Sequence, residues 1–164
     1  MARPATPVSL RVSIAEQTLT LNTAGALTRY RISSAAKGSG QLWGSECTPL
    51  GRHIVRAKIG AGAAVNTVFV ARRPTGEVYS PALAAQFPTR DWILTRILWL
   101  SGCEPGFNRL GNVDTMRRKI YIHGTPDDVP LGQPGSHGCI RMGNADIVEL
   151  FERVPPYTPI EIVE

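Results

Sequence analysis

Apolar and polar residues alternate along the first part of this chain, and that period of two restricts the fold more than any other feature. Val8, Leu10, Val12 and Ile14 fall on one face of an extended segment over 8–14. Leu19 and Leu21 repeat the alternation after a turn at Glu16-Gln17, and Leu27, Tyr30 and Ile32 mark a third strand after Ala24-Gly25. Successive side chains of a strand point to opposite faces, so each segment has one face to bury. With short polar turns between them, the three segments read as an antiparallel meander.

The rest of the chain extends this pattern. Residues 33–51 are rich in Ser, Gly and Lys and read as a loop, and 52–59 fit either a strand or a short helix. Val65 to Val70 is a predicted strand, stopped by Arg72-Arg73-Pro74. Asp91 to Leu100 is the most apolar stretch and reads as a buried strand, with Trp92 and Trp99 on opposite sides of it. Ser101 to Gly111 is a loop, Lys119 to His123 is a strand ending at His123, and 124–135 is a Pro/Gly/Asp loop with Asp127-Asp128 as a turn pair. Ile140 and Met142 resume extended structure. Asn144 reads as a helix N-cap, with Asp146 in the first turn, where the helix dipole favours a negative charge. Ile147, Val148, Leu150, Phe151 and Val154 follow helical spacing until Pro155-Pro156, and Ile160 to Val163 is a last strand. The expectation is a mainly β fold with one or a few short helices, in a single domain over 1–164 with its core at about 8–163.

Composition excludes some functions. A hydrophobic fraction of 43% supports a real core, and 16 Gly with 13 Pro suit a turn-rich β domain. The formal charge of +5 favours anionic partners without choosing between nucleic acid and a carboxylate-bearing substrate. The basic residues are scattered, apart from Arg72-Arg73 and Arg117-Arg118-Lys119. They form no long basic run interleaved with aromatics, so no nucleic-acid partner is expected. Residues 1–10 lack the apolar stretch of a secretion signal, and no later run reaches membrane-spanning length. The expected location is the cytoplasm, or the periplasm if a leader has been removed, with no membrane or obligate protein partner.

Three cysteines at wide spacing leave at least one thiol free. Cys47 and Cys103 read as structural, and a cytosolic setting argues against their pairing. Cys139 is different. A cysteine nucleophile needs a base, donors for an oxyanion and a lowered thiol pKa. Gly138 permits a tight turn before the thiol that aims its own N–H and that of Cys139 at one point. His123 precedes Cys139 by 16 positions, and the 12-residue loop between them can return the chain so that imidazole meets thiol. Arg141 lies two positions past Cys139, on the same face of an extended segment, where a cation favours thiolate and can hold a substrate carboxylate. His137 is also near the thiol, so the two histidines can exchange roles, and His123, His137 and Cys139 together make a conceivable zinc set. The expectation is a cysteine acyltransferase without metal or other cofactor. His53 has no motif around it and reads as solvated or structural.

The ordered array His123-Gly124-Thr125, Gly135-Ser136-His137-Gly138-Cys139-Ile140-Arg141-Met142, Asn144 and Asp146 resembles the signature of the L,D-transpeptidase catalytic domain, the YkuD-like family. Thr48-Pro49-Leu50-Gly51 resembles that family's Thr-Pro-x-Gly element, so the resemblance covers most of residues 8–163. It implies a β-sandwich with the active site at a pocket mouth. It implies that Cys139 attacks the carbonyl of the third residue of a peptidoglycan tetrapeptide stem, releasing D-Ala and leaving a thioester, with His123 as base and acid. A neighbouring carbonyl or hydroxyl orients the base in this family; here Gly124 offers only its backbone carbonyl. His137 would line the oxyanion region beside the Gly138 N–H, and Arg141, Ser136 and Thr125 would contact substrate. The family's thiol is also a carbapenem target. Water as acceptor gives an L,D-carboxypeptidase of cell-wall recycling, which the absent leader favours. An amine acceptor gives a transpeptidase forming 3-3 cross-links or exchanging D-amino acids. A non-catalytic module that binds stem peptides or muropeptides is the third reading.

Overall fold

The computed structural model describes residues 6–164; the leader reading therefore falls in part, at residues 1–5, outside the described residues. The meander forms as its alternation predicts: β1 (Val8–Ser13), β2 (Thr18–Thr23) and β3 (Ala26–Ser33) are antiparallel neighbours, with Val12 opposite Leu19 and Leu19 opposite Tyr30. The remaining strands are β4 (Gly51–Ile59), β5 (Thr67–Val70), β6 (Arg73–Val78), β7 (Ile93–Gly102), β8 (Tyr121–Gly124), β9 (Ile140–Met142) and β10 (Pro159–Val163). The ten lie in the order β4-β10-β1-β2-β3-β9-β8-β7-β5-β6, and β4 also pairs with β7, so the sheet closes on itself. Segment 52–59, ambiguous by pattern, is held as a strand because both its edges are paired, to β7 and β10.

Several local expectations are corrected. Arg72-Arg73-Pro74 does not end the sheet. Ala71 and Arg72 take φ of 48° and 63°, a two-residue hairpin turn, and Arg73 opens β6 opposite Val70. A second helix, α1 (Pro81–Gln86), follows, capped by Ser80, whose hydroxyl accepts the Leu83 N–H (3.1 Å). The C-terminal helix α2 (Asn144–Arg153) is capped by Gly143; Asn144 is its first residue and its side chain is turned elsewhere. Val65 and Lys119 lie outside strands because Asn66 and Lys119 adopt φ of 71° and 59°. Trp92 precedes β7 and meets Tyr79 edge-on at 5.1 Å, so the opposite-sides expectation, which assumed one continuous strand, does not apply.

Parity along the strands then places the chemistry. Ile120, Ile122, Ile140 and Met142 point into the main core, where Ile147, Leu150, Phe151 and Val154 of the α2 region meet Leu10, Leu19, Ile32 and Leu100. Burying such side chains stabilises by about 1.5–3 kcal/mol each. The alternate residues of β8 and of the β9 segment, Tyr121, His123, Cys139 and Arg141, therefore lie on the other face of the sheet. There Tyr121 and Cys139 join a smaller apolar cluster with Phe69, Ile97 and Trp99.

Candidate active site

β8 and β9 are parallel, with His123 beside Arg141 and Ile122 beside Ile140. Extending that register sets Cys139 beside Tyr121, and the Tyr121 N–H donates to the Cys139 Sγ at 3.3 Å. Thiol and imidazole thus sit one pleat apart on one face, although 16 positions separate them in sequence. The loop that returns the chain is fixed at both ends. Gly135 N–H and Ser136 N–H both donate to the Ser34 carbonyl (2.9 Å each), and Thr125 N–H donates to the Met142 carbonyl (3.1 Å).

The histidine is oriented by its own strand end. His123 is 1% exposed, and its Nδ1 lies 2.7 Å from the Gly124 carbonyl. A carbonyl only accepts, so Nδ1 carries the proton and the Nε2 lone pair is left for chemistry. Gly124 is there for space: a Cβ on it would lie 2.5 Å from Asn144 Oδ1 and 2.6 Å from the Leu94 carbonyl. Asn144 is the clamp behind it. Its Oδ1 accepts from Thr95 Oγ1 (2.5 Å), and its Nδ2 donates to the Thr125 carbonyl (3.0 Å) and to Asn66 Oδ1 (3.1 Å). Thr95 itself holds φ of 75°, a strained value for a β-branched residue, beside the β7 bulge that faces Gly124.

The thiol's turn is braced from below. Gly138 takes φ of 129°, which glycine alone adopts readily. Thr48 Oγ1 donates to its carbonyl (2.9 Å) and accepts the Ala35 N–H (3.0 Å). Ser136 is buried, its hydroxyl donating to the Cys139 carbonyl (2.5 Å) and accepting the Gly138 N–H (3.2 Å). Thr125 is buried too, with its backbone groups engaged. Ser136 and Thr125 therefore sit behind the thiol and imidazole as loop braces, and the Gly138 N–H is already shared with a hydroxyl.

His137 is exposed, and its Nδ1 lies 3.7 Å from Asp91 Oδ2. Arg141 is held between the Gly135 carbonyl (3.0 Å) and Asp91 Oδ1 (3.1 Å). Asp91 was not singled out in the sequence: it is the lone acid before an apolar strand, 50 positions from its partner, with no motif to signal it. Arg118 is the second omission. It reaches the carbonyls of Gly40, Gln41 and Cys47, the last at 2.6 Å, and its charge bears on the Cys139 sulfur. Trp43, Glu46, Arg118, Ile120 and His137 line a groove of about 260 Å³.

Burial dominates the electrostatics. The Cys139 thiol is pushed up to about 12, chiefly by desolvation; the Tyr121 N–H, Arg141 and Arg118 pull it down and Asp91 pushes it up. Residue Cys139 as a whole is half-buried. Burial also holds His123 below the usual imidazole value, against an opposing pull from the Gly124 carbonyl. The cation at Arg141 thus does not create a resting thiolate, and at neutral pH both partners are uncharged. A thiol with so high a pKa should react with iodoacetamide at a rate that keeps climbing about tenfold per pH unit from pH 7 to 9. The measurement uses protein whose Cys47 and Cys103 are serine; a plateau near neutrality would show a preformed thiolate instead.

All three cysteines are free. His53 is buried between the Gly51 carbonyl and Thr115 Oγ1 (2.9 Å each), with its pKa lowered to about 4 by burial, a structural role. No three His, Cys, Asp or Glu side chains among the described residues converge as a metal site. No helix among them is long and apolar enough to cross a membrane.

The family model of the YkuD L,D-transpeptidase catalytic domain matches residues 7–162. A 47-residue stretch is 44% identical to the probable L,D-transpeptidase YbiS of Escherichia coli strain K12, spanning 29% of this chain and 15% of YbiS. Among solved structures, L,D-transpeptidase 3 of Mycobacterium tuberculosis superposes with a TM-score of 0.61 at 17% identity, covering 97% of this chain and 62% of that one. The L,D-transpeptidase LdtMt1 in complex with imipenem gives 0.57 at 19% identity, covering 96% of this chain and 59% of that one. The structural likenesses establish the fold, and this chain spans about three fifths of those solved chains.

Proposed function

The chain belongs to the YkuD family of L,D-transpeptidase catalytic domains, and from that premise we propose that it cleaves the bond before the terminal D-Ala of peptidoglycan tetrapeptide stems through a Cys139 thioester, with water as the acceptor. The observation that carries this reading is the Tyr121–Cys139 contact set one pleat from a histidine whose Nδ1–H is spent on the Gly124 carbonyl.

The steps follow from the protonation states. His123 Nε2 takes the Cys139 proton as the sulfur attacks the carbonyl carbon of the third stem residue. The oxyanion draws on the Cys139 N–H and on the Gly138 N–H, which leaves Ser136 Oγ for it. The C–N bond then breaks, and His123 returns its proton to the amine of departing D-Ala. Water attacks the thioester, giving a proton to Nε2; the C–S bond breaks and the sulfur is reprotonated. Arg141 and Arg118 provide positive charge for the stem carboxylates. Water is the simpler acceptor, since it needs no second binding site beside the thiol.

Incubation with a tetrapeptide muropeptide, read by mass, tests the proposal. Loss of D-Ala alone supports the carboxypeptidase. A cross-linked dimer or an exchanged terminal D-amino acid would replace it with the transpeptidase reading. Unchanged substrate would return the chain to a stem-peptide binding module. His123→Ala should lower the acylation rate by about 10²–10⁴-fold. Exposed His137 should cost less than roughly tenfold when changed to Ala, and the opposite order would exchange their roles.

A further inference from the structure

On the outer face of β10, β1, β2, β3 and β4 lies a groove of about 650 Å³, larger than the one at Arg118 and His137 and lined by none of the catalytic array. Most of its walls are outward-facing residues of the strands, and the registers align five of these in one row across the sheet. Arg29 pairs with Thr20, Thr20 with Arg11, Arg11 with Glu161, and Glu161 with Arg52. Three guanidiniums therefore occupy alternate strands, and neighbouring strands are about 4.8 Å apart, so the cations repeat at roughly 10 Å. Arg11 and Arg52 are 61% and 73% exposed. Among the described residues their acidic partners are Glu161 at 3.5 Å and Glu104 at 3.7 Å, long and solvent-exposed contacts that leave most of the charge available. Thr18, Ser9 and Asn22 add hydroxyl and amide groups between the cations.

The row does not stand apart from the catalytic face. Arg31 and Ser33 continue the outward side of β3, and Ser33 pairs with Arg141 on β9. Arg29 is four residues from Ser33, roughly 13 Å along the strand, so a short stem at Cys139 does not reach it, whereas a polymer does.

We infer that this cationic row is a second binding surface, which takes the carboxylates of neighbouring stems on polymeric peptidoglycan while one stem occupies Cys139. The inference rests on the peptidoglycan reading above for the identity of the polymer. A repeating polyanion meets regularly spaced cations along the groove, and the hydroxyls and amides suit its sugar and peptide groups.

The test is co-sedimentation of the full chain with insoluble peptidoglycan at low salt, beside turnover of a soluble tetrapeptide muropeptide. The R11Q/R29Q/R52Q variant should bind the polymer roughly ten- to hundred-fold more weakly. It should keep the wild-type melting temperature and the wild-type rate on the soluble fragment. The corresponding triple Lys variant should retain most of the binding, and wild type should stay in the supernatant when the stem carboxylates of the polymer have been amidated. Unchanged sedimentation of the Gln variant, or equal retention on amidated polymer, would overturn the inference. Wild type that turns over the soluble fragment but does not sediment would also overturn it while leaving the proposed function standing. Sedimentation through the arginine row without turnover would support the surface and remove the proposed function.

Discussion

Cys139→Ala is expected to lower turnover of a stem tetrapeptide by at least roughly 10⁴-fold, with no covalent adduct on the protein by mass. The size of the effect follows from the site's construction. The sulfur is the one nucleophile on the face of β8 and β9 turned from the main core; its neighbours there are His123, Tyr121 and Arg141. Ser136, the nearest hydroxyl in sequence, is turned away onto the Cys139 carbonyl and is buried. No other group is placed to take over. The fold should hardly notice. Cys139 is half-buried in the smaller cluster with Trp99 and Tyr121, and losing one sulfur from it costs about 1 kcal/mol or less. A melting temperature within about 4 °C of wild type is expected. Substantial turnover by this variant would remove Cys139 from the chemistry.

Gly124→Ala should damage both stability and activity. The added Cβ would meet Asn144 Oδ1 at 2.5 Å, the Leu94 carbonyl at 2.6 Å and Thr95 Cβ at 3.1 Å. One of these is backbone, and the other two belong to side chains bonded to one another, so none can yield cheaply. Overpacking of this kind costs about 3 kcal/mol, which lowers the melting temperature by roughly 6–12 °C for a chain of this size. The shift also moves the carbonyl that fixes the His123 tautomer. A further loss of about 10²-fold in kcat/KM is expected in protein shown to be folded at the assay temperature. Wild-type stability would mean that the strand end relaxes freely and that the clamp made by Asn144 and Thr95 is loose. Wild-type turnover with lowered stability would separate the Gly124 carbonyl from the chemistry.

What was legible in the chain was legible for local reasons. The meander from Val8 to Ile32 is written in a period of two, and the α2 region in the spacing of Ile147, Leu150, Phe151 and Val154. β6 carries no such period. Arg73-Pro-Thr-Gly-Glu-Val78 is mostly exposed and is a strand only because it pairs with β5. Its turn lacks the usual Asn or Gly, since Ala71 and Arg72 supply the positive φ. The start of α1 did leave a trace, Ser80-Pro81, a cap followed by proline at the first helical position. The Asn144 cap was misplaced because a buried asparagine at a helix start serves either the helix or its neighbours. Here the Thr125 carbonyl and Thr95 hydroxyl claim it.

The sequence by itself determined which atoms are available for chemistry: the spacing from His123 through Gly138-Cys139 to Arg141 is an ordered set of residue types, and order along a chain is a local property. Tertiary structure decided how those atoms behave. Arg141 in sequence argues for a thiolate, yet desolvation of the sulfur outweighs the cation, because the cost of burying a charge depends on everything packed around it. Asp91 reaches Arg141, 50 positions away, and His137 only through the packing around β7, β8 and β9. Arg11, Arg29 and Arg52 are scattered cations along the chain and become a row only through the registers of β1, β2, β3, β4 and β10. Desolvation and strand register are properties of neighbours in space, and no window of residues contains them.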